Sequence, residues 1–257
     1  MDSVTFYGKV QPPFDTLSVG GLPRVDWPAT ESESAVALFM ALDSSYLKVR
    51  CEVESYSPSL LGELHKRAID FAQTLLDLVT FCTGYPYSIR FDAFSGTDGV
   101  MLPFRARSLH LGDKCTAFRI DSKSDEDRAA LRQVAGLTLT EPALFMALRD
   151  LTQSFSSVHY TVLNCARAID GLCTIMTPIG KRRDQGWPVL QRELNLSEDY
   201  IKYITHHSKG PRHGDRSFIP GSVNDEVMTR SWTIMNRFLE YRKRDSKQLP
   251  SDQFPML

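Results

Sequence analysis

Hydrophobic and polar residues alternate with two different periods in the first half of the chain. In residues 46–54 apolar and charged side chains alternate strictly, and this period of two predicts a half-buried strand. Residues 58–84 instead carry an apolar stripe at helical spacing, with Pro58 placed for a first turn and Gly84 for a stop, so they predict a helix. Three further segments are predicted to be strands, at residues 87–94, 100–107 and 116–120. We therefore expect a strand-rich α+β domain in this half.

Beyond residue 122 the apolar residues recur at helical spacing. Four amphipathic helices are predicted, at residues 140–155, 158–176, 187–206 and 224–244. Thr140 is the expected N-cap of the first helix, and residues 195–197 are a candidate break in the third. Gly210 and Pro211 are expected to stop a helix, because proline lacks an amide donor and restricts the residue before it. Four such helices with short connections are typical of an all-α bundle.

These patterns divide the chain into three parts. We expect an α+β domain at residues 1–130, a four-helix bundle at residues 140–247 and an extended, loosely held tail at residues 248–257. The boundary between the two domains is expected between residues 121 and 140. The charged segment 122–130, SKSDEDRAA, is either a linker or the start of a helix.

Composition changes this picture little. The sequence is 42% hydrophobic and 24% charged with a net charge of −1, which is ordinary for a globular protein and gives no general attraction to nucleic acid or acidic lipid. The charge is uneven, however. Residues 181–247 hold 14 Lys/Arg against 9 Asp/Glu, about +5, and the remainder holds 16 against 22, about −6. A basic C-terminal third favours phosphate-bearing partners, but a solvated helix surface has the same composition, and both interpretations stay open.

The cysteine spacing and the lack of long apolar segments in the sequence favour a reducing compartment. The five cysteines include no C-x-x-C pair, so they predict neither a disulfide framework nor a zinc site. The chain starts without a basic segment followed by an apolar run, and its sequence has no 18-residue apolar stretch. We expect a cytoplasmic protein with no cofactor and no membrane association.

Candidate chemistry concentrates in residues 206–217, HHSKGPRHGDRS. Arg212 offers a planar fork that suits a phosphate or carboxylate, and His213 can exchange a proton near neutral pH. Asp215 is placed to orient either side chain. Together such groups can bind a phosphate and activate a neighbouring hydroxyl.

The same segment also fits a purely structural corner between two helices. Arg212 with Asp215, or Arg216 with Asp225, would form ordinary ion pairs there. We expect no metal ion, because adjacent histidines on a helix point in different directions and the i, i+4 pair of helical zinc sites is missing.

A second polar set lies on the second predicted helix. Asn164, Arg167 and Asp170 follow each other at a spacing of three, opposite the apolar stripe. Either Arg167 and Asp170 pair on the surface, or the set faces the His/Arg segment across the bundle and supports it.

Two segments carry a family resemblance. LNCARAIDGL at residues 163–172 and RHGD at residues 212–215, together with the four-helix pattern, resemble the HEPN superfamily of small helical-bundle domains over residues 140–245. Some HEPN proteins with a preceding β-rich region are linked to phage defence, so the resemblance implies that role as well. RHGDRS and SWTIMNRFLE also resemble uncharacterised accessory proteins of methylamine utilisation.

The superfamily implies a specific chemistry. Active members cleave RNA without metal, usually at a dimer interface, with a histidine that transfers protons and an arginine a few residues before it. Carried over, His213 is that histidine, and a homodimer through the bundle is implied. The arginine would lie at residues 206–208, where this chain has two histidines and a serine, whereas Arg212 is adjacent to His213. Either His207 or Lys209 replaces the arginine, or the domain has lost cleavage and retains binding.

Three functions therefore remain open. The first is binding of RNA or nucleotide phosphate; if the protein is an enzyme, it is then a metal-independent ribonuclease with catalytic His213, Arg212 and His207. The second is a non-catalytic interaction or sensor module, and the third an accessory role in methylamine metabolism. The expected phosphate-binding residues are Lys209 and Arg216, and those expected to orient the site are Asp215, Asn164, Arg167 and Asp170.

Overall fold

The chain folds into two units, Met1–Arg107 and Ser108–Leu257. The structure is a computed structural model and describes residues 1–11, 24–29, 34–103, 111–119, 124–155, 160–213 and 219–257. The division lies before the boundary predicted at residues 121–140. Leu111 and Ala117 are buried in the core of the second unit, which is why the residues before the first long helix of that unit belong to it.

The N-terminal unit is built on an antiparallel sheet, whose described strands follow the order β2-β3-β4-β1-β5-β6. The strands are β1 (Asp2–Gln11), β2 (Val25–Trp27), β3 (Val36–Asp43), β4 (Tyr46–Val53), β5 (Ser88–Ser95) and β6 (Met101–Pro103). The strands predicted at residues 46–54 and 87–94 are confirmed as β4 and β5. The strand predicted at residues 100–107 is confirmed as β6 over its first part, and residues 104–107 lie outside the described ranges.

Helix α1 (Leu61–Thr83) packs on one face of this sheet. Its buried Leu64 and Ala68 share a core with alternate strand residues such as Phe6 and Val49. A short 3₁₀ turn, Pro58–Leu60, leads directly into the helix, and Gly84 ends it with a left-handed φ of 73°. The helix and its stop are therefore as predicted.

The second unit is helical. Its helices are α2 (Asp125–Thr140), α3 (Pro142–Gln153), α4 (Thr161–Met176), α5 (Gly186–Leu194), α6 (Glu198–Arg212) and α7 (Gly221–Lys243). Helix α4 is central: it packs against α3, α5, α6 and α7, and its Ala166, Ile169 and Leu172 are fully buried. An α+β fold with a strand-rich N-terminal part and a helical C-terminal part is thus confirmed. No helix in the described ranges carries an apolar stretch long enough to cross a membrane.

The helix limits confirm one prediction and decide between two alternatives that the sequence left open. The third predicted helix is broken at residues 195–197 into α5 and α6. Asn195 adopts a left-handed φ of 52°, and Ser197 Oγ accepts from the Tyr200 amide as the N-cap of α6. Residues 122–130 prove to contain a helix start, since Ser124 caps α2 by accepting from the Asp127 amide.

Two helix-end predictions were wrong. Thr140 does not cap α3; it ends α2, where its hydroxyl donates to the Gly136 carbonyl, and Glu141 is the residue before α3. Pro211 does not stop α6, which continues to Arg212. In the last turn a proline removes only one backbone hydrogen bond, so the helix tolerates it there.

The strand predicted at residues 116–120 was wrong for the described residues up to 119. The amides of Thr116 and Ala117 both donate to Asn236 Oδ1 on α7, at 2.9 and 3.1 Å. A side chain therefore satisfies the amides that a strand partner would otherwise need.

The tail predicted to be loosely held is docked. Arg237 on α7 is buried and donates through Nη1 to the carbonyls of Leu194 and Asn195, at 2.8 Å each, and through Nη2 to the Pro255 carbonyl at 2.7 Å. Asn195 Nδ2 donates to the carbonyls of Leu249 and Phe254 at 2.8 and 2.9 Å. These two side chains tie the tail to the bundle.

Candidate functional site

An open cleft of about 380 Å³ lies beside the C-terminal half of α4 in the helical unit. Six residues line it, and we call it the arginine cleft: Asp170, Arg182, Arg183, Asp184, Trp187 and Arg212. They come from α4, from the connection that follows it, from the start of α5 and from the end of α6. The cleft is therefore formed by segments that the bundle brings together.

The Asp170 carboxylate holds two of the arginines. Its Oδ1 lies 2.7 Å from Arg183 Nη2, and its Oδ2 lies 2.9 Å from Arg212 Nη2. The Asp170 side chain is 21% exposed, whereas Arg212 and Arg183 are 35% and 53% exposed. The closest guanidinium atom in each contact is Nη2, and a guanidinium has five N–H donors in all. Both arginines therefore retain donors that can face a ligand.

Close packing places Arg183 beside α4. Arg183 begins a 3₁₀ turn that ends at Gly186, the first residue of α5. A Cβ on Gly186 would overlap the Cys173 carbonyl oxygen and crowd Thr177 Oγ1. The Arg183 carbonyl in turn accepts from Thr177 Oγ1 at 3.3 Å. Glycine at 186 thus lets the turn approach the end of α4 closely enough for Arg183 to reach Asp170.

The charges of the cleft favour an anion. Arg182, Arg183 and Arg212 face Asp170 and Asp184, which leaves one net positive charge. Arg182 is paired only at 3.5 Å with Asp184, and its side chain is 88% exposed. Planar guanidinium groups recognise phosphate through two parallel N–H donors. The cleft can therefore hold a phosphate.

Trp187 adds a flat apolar surface to the same cleft. It is half-buried and packs partly against the core of the bundle. An indole ring beside a phosphate site can stack on the base of a nucleotide. The combination of arginines and one aromatic ring suits a ligand with both a phosphate and a planar group.

The structure brings together two of the predicted site residues, Arg212 and Asp170, which are 42 residues apart. Of the two alternatives for Asp170, contact with the His/Arg segment is therefore the one observed. Arg167 pairs instead with Asp150 at 3.3 Å, where burial raises the pKa of the Asp150 carboxyl against the opposing effect of Arg167. Asn164 is half-buried on α4, and neither it nor Arg167 lines the cleft.

His207 does not lie on the same side of α6 as Arg212. His207 precedes Arg212 by five residues, so the two side chains leave α6 about 140° apart. The His207 ring packs edge-on against Tyr203, with ring centres 4.7 Å apart. Burial lowers the pKa of His207, and the neighbouring His206 lowers it further. His207 and Arg212 therefore point to different sides of α6.

The remaining predicted residues lie at the end of α6 or beyond it. Lys209 is exposed on α6 and does not line the cleft, and His213 is exposed directly after the helix. Asp215 and Arg216 lie outside the described residues. No group of three or more His, Cys, Asp or Glu side chains is placed to hold a metal ion in the part of the chain that the structure describes.

Sequence reasoning missed four of the six cleft residues, namely Arg182, Arg183, Asp184 and Trp187. The sequence signal for them was the segment KRRDQGW at residues 181–187, which starts with three basic residues five positions after the end of α4. Nothing in its spacing connects it with Arg212, because the connection is made by α4 through Asp170.

The fold and the site define a protein with an antiparallel α+β unit and a helical unit that carries an arginine-lined cleft. Residues 4–104 match the family model of the N-terminal domain of DUF8168, and residues 131–243 match that of its C-terminal domain. The chain therefore carries both domains of the DUF8168 family, each described as a domain of unknown function. No curated protein and no solved structure matches the chain.

Proposed function

We propose that the helical unit binds the phosphate of RNA or of a nucleotide in the arginine cleft. One observation carries the proposal: the Asp170 carboxylate holds Arg183 and Arg212, from different segments of the chain, at the same opening. A carboxylate that fixes two guanidinium groups reduces the entropy that they would otherwise lose on binding a ligand.

The partial exposure of both arginines supports binding rather than a purely structural role. Ion pairs at such exposed positions contribute only about 0–1 kcal/mol to stability. Charge-assisted hydrogen bonds from two guanidinium groups to one phosphate are worth more, about 1.5–3 kcal/mol each. Trp187 supplies the stacking surface that distinguishes a nucleotide from free phosphate.

Cleavage of RNA is the more demanding form of the proposal. It requires a group that transfers a proton beside the bound phosphate, and His213, the residue after Arg212, is our candidate. The resemblance to HEPN domains supports this role. His207 leaves α6 on a different side from Arg212, so His213, which follows Arg212 in the sequence, is the remaining candidate among the predicted histidines.

The binding test compares full-length wild type with Arg183→Ala/Arg212→Ala by calorimetry, using ATP and a mixed RNA pool in EDTA. The matched control is Arg192→Ala, since Arg192 is a 63% exposed arginine on α5 that pairs with Glu193 outside the cleft. We expect the double variant to lose at least about tenfold in affinity for ATP, and the control to keep it. The proposal is contradicted if wild type binds neither probe, or if the double variant binds ATP as tightly as wild type does.

The cleavage test uses the same RNA pool and adds His213→Ala. The two proteins are first shown to have equal melting temperatures. Ribonuclease activity is supported if wild type cleaves RNA in EDTA and His213→Ala does not. Binding without cleavage limits the function to binding.

A further inference from the structure

The face of the sheet opposite α1 presents aromatic and basic side chains in regular rows. Successive strand residues point to opposite faces, so the outward residues of β1, β3 and β4 lie between the buried ones. Strand pairing aligns them: Arg50 is opposite Phe39, and Lys48 is opposite Tyr7. Tyr46 is opposite Lys9 in the next row.

Each row contains one ring and one cation in contact. The Arg50 guanidinium lies 4.4 Å from the centre of the Phe39 ring. Lys48 Nζ lies 5.8 Å from the Tyr7 ring, and Lys9 Nζ lies 5.4 Å from the Tyr46 ring. Rows on one face repeat about every 7 Å along a strand. The three rows therefore form a continuous strip across β3, β4 and β1, which we call the aromatic strip.

The strip is accessible to a ligand. Tyr46 is 64% exposed, the Arg50 side chain is 46% exposed, and both lysines are exposed. Phe39 and Tyr7 are half-buried, as expected for rings that lie on the sheet rather than stand out from it.

The two lysines give the strip its attraction for phosphate. The arginines of this face have carboxylates two residues further along: Arg50 lies 3.2 Å from Glu52, Arg24 2.7 Å from Asp26 and Arg90 3.2 Å from Asp92. Lys9 and Lys48 lie over tyrosine rings, and Asp43 lies opposite Tyr46 in the row of Lys9. Their charges lie beside the surfaces on which a base would stack.

We propose that the aromatic strip binds a single-stranded nucleic acid, with bases stacked on Tyr7, Phe39 and Tyr46 and phosphates paired with Lys9 and Lys48. Flat rings interleaved with cations match unpaired bases joined by phosphates. Bases in a duplex are already stacked and do not reach such rings. An acidic lipid surface is matched by clustered, unpaired basic residues, whereas the arginines here have carboxylate neighbours.

This inference concerns a surface of the N-terminal unit and does not depend on the arginine cleft. The cleft has one ring and suits a mononucleotide, whereas the strip has three rings in sequence and requires several linked nucleotides. The two proposals are tested by different probes and different variants, so that one can fail while the other holds.

The test measures fluorescence anisotropy of a labelled 15-nucleotide oligouridylate with the full-length Arg183→Ala/Arg212→Ala protein, in which the cleft is disabled. Tyr7→Leu/Tyr46→Leu is added to remove two rings and keep their apolar bulk. The matched control is Tyr85→Leu, since Tyr85 is also 64% exposed but lies just after α1. We expect the ring variant to lose more than about tenfold in affinity, and the control to retain it.

A second variant tests the proposal if the ring variant proves unstable, and further probes identify the type of ligand. Lys9→Gln/Lys48→Gln should flatten the slope of log affinity against log salt by about 1.4, or about 0.7 for each lost phosphate contact. Oligothymidylate distinguishes RNA from DNA, and binding of either supports the proposal. Absence of binding to both oligonucleotides, tighter binding of an RNA duplex, or binding only to acidic phospholipid vesicles overturns it.

Discussion

Asp170 and Arg212 form a 2.9 Å ion pair that joins the middle of α4 to the last residue of α6. Arg183 approaches the other oxygen of the same carboxylate at 2.7 Å. One carboxylate on α4 thus organises two arginines that are far apart in the sequence. This relationship is the basis of the proposed phosphate site.

The Asp170–Arg212 pair should contribute modestly to stability. In a double-mutant cycle with Asp170→Asn and Arg212→Gln, we expect a coupling energy of about 0.5–1 kcal/mol, because both side chains are partly exposed. Urea unfolding of the four proteins measures it. A coupling of several kcal/mol would identify the pair as a structural element and weaken its assignment to ligand binding.

Glycine at position 186 should be required for the packing of α5 on α4. Gly186→Ala places a Cβ against the Cys173 carbonyl oxygen and should lower the free energy of unfolding by about 1–3 kcal/mol. Gly136→Ala is the control, because Gly136 lies within α2 and its added Cβ meets no atom within 4 Å. Alanine there should stabilise the protein by about 0.5–1 kcal/mol. Equal effects of both substitutions in urea unfolding would contradict the close approach.

Arg237 should hold the tail. Arg237→Ala removes three hydrogen bonds to main-chain carbonyls of Leu194, Asn195 and Pro255. We expect a loss of about 3 kcal/mol in the free energy of unfolding, since buried acceptors are left without a donor. Limited proteolysis should then cut residues 248–257 before the bundle. Cleavage of variant and wild type at the same rate would show that the tail is held by other contacts.

His65 should make the stability of the protein sensitive to acid. Its half-buried ring lies beside Phe6 and Phe91, with ring centres 5.5 and 5.8 Å away, and burial lowers its pKa from 6.5 to about 4. A pKa that is lower in the folded state gives stability that is present above pH 6.5 and is lost as the pH falls toward 4.

Urea unfolding at about pH 7.5 and about pH 4.5 tests this assignment. Wild type should lose about 2 kcal/mol more between the two values than His65→Leu. The comparison at the higher pH, where His65 is neutral in both states, measures the change in packing alone. Equal losses in the two proteins would contradict a buried neutral imidazole.

The sequence was sufficient for α1, α4 and α7 because their apolar stripes are long and periodic, whereas α2 was predicted at most as a possible helix start. The break at Asn195 was visible since Asn and Ser are the residues that end and begin helices. Strand β4 was found from its strict alternation, but β1 and β3 were not identified individually: Val36, Ala37 and Leu38 are all buried, which hides the period of two.

The sites could not be predicted because they depend on contacts between distant segments. Arg183 reaches Asp170 through a turn whose course is set by Gly186. The rings and cations of the aromatic strip come from different strands, and their pairing depends on register. The conformation of residues 116–119 also depends on a distant segment, because Asn236 on α7 accepts hydrogen bonds from the amides of Thr116 and Ala117.

The central claim, that the arginine cleft binds a phosphate, is tested most directly by NMR of the full chain labelled with ¹⁵N-arginine. The side-chain signals of Arg183 and Arg212 are assigned by Arg183→Lys and Arg212→Lys, and that of Arg192 serves as the internal control. Addition of excess ATP should shift the first two signals together and leave the third in place, with the same midpoint as in calorimetry. If neither ATP nor RNA moves the signals of Arg183 and Arg212, the cleft does not bind a phosphate and the proposed function is wrong.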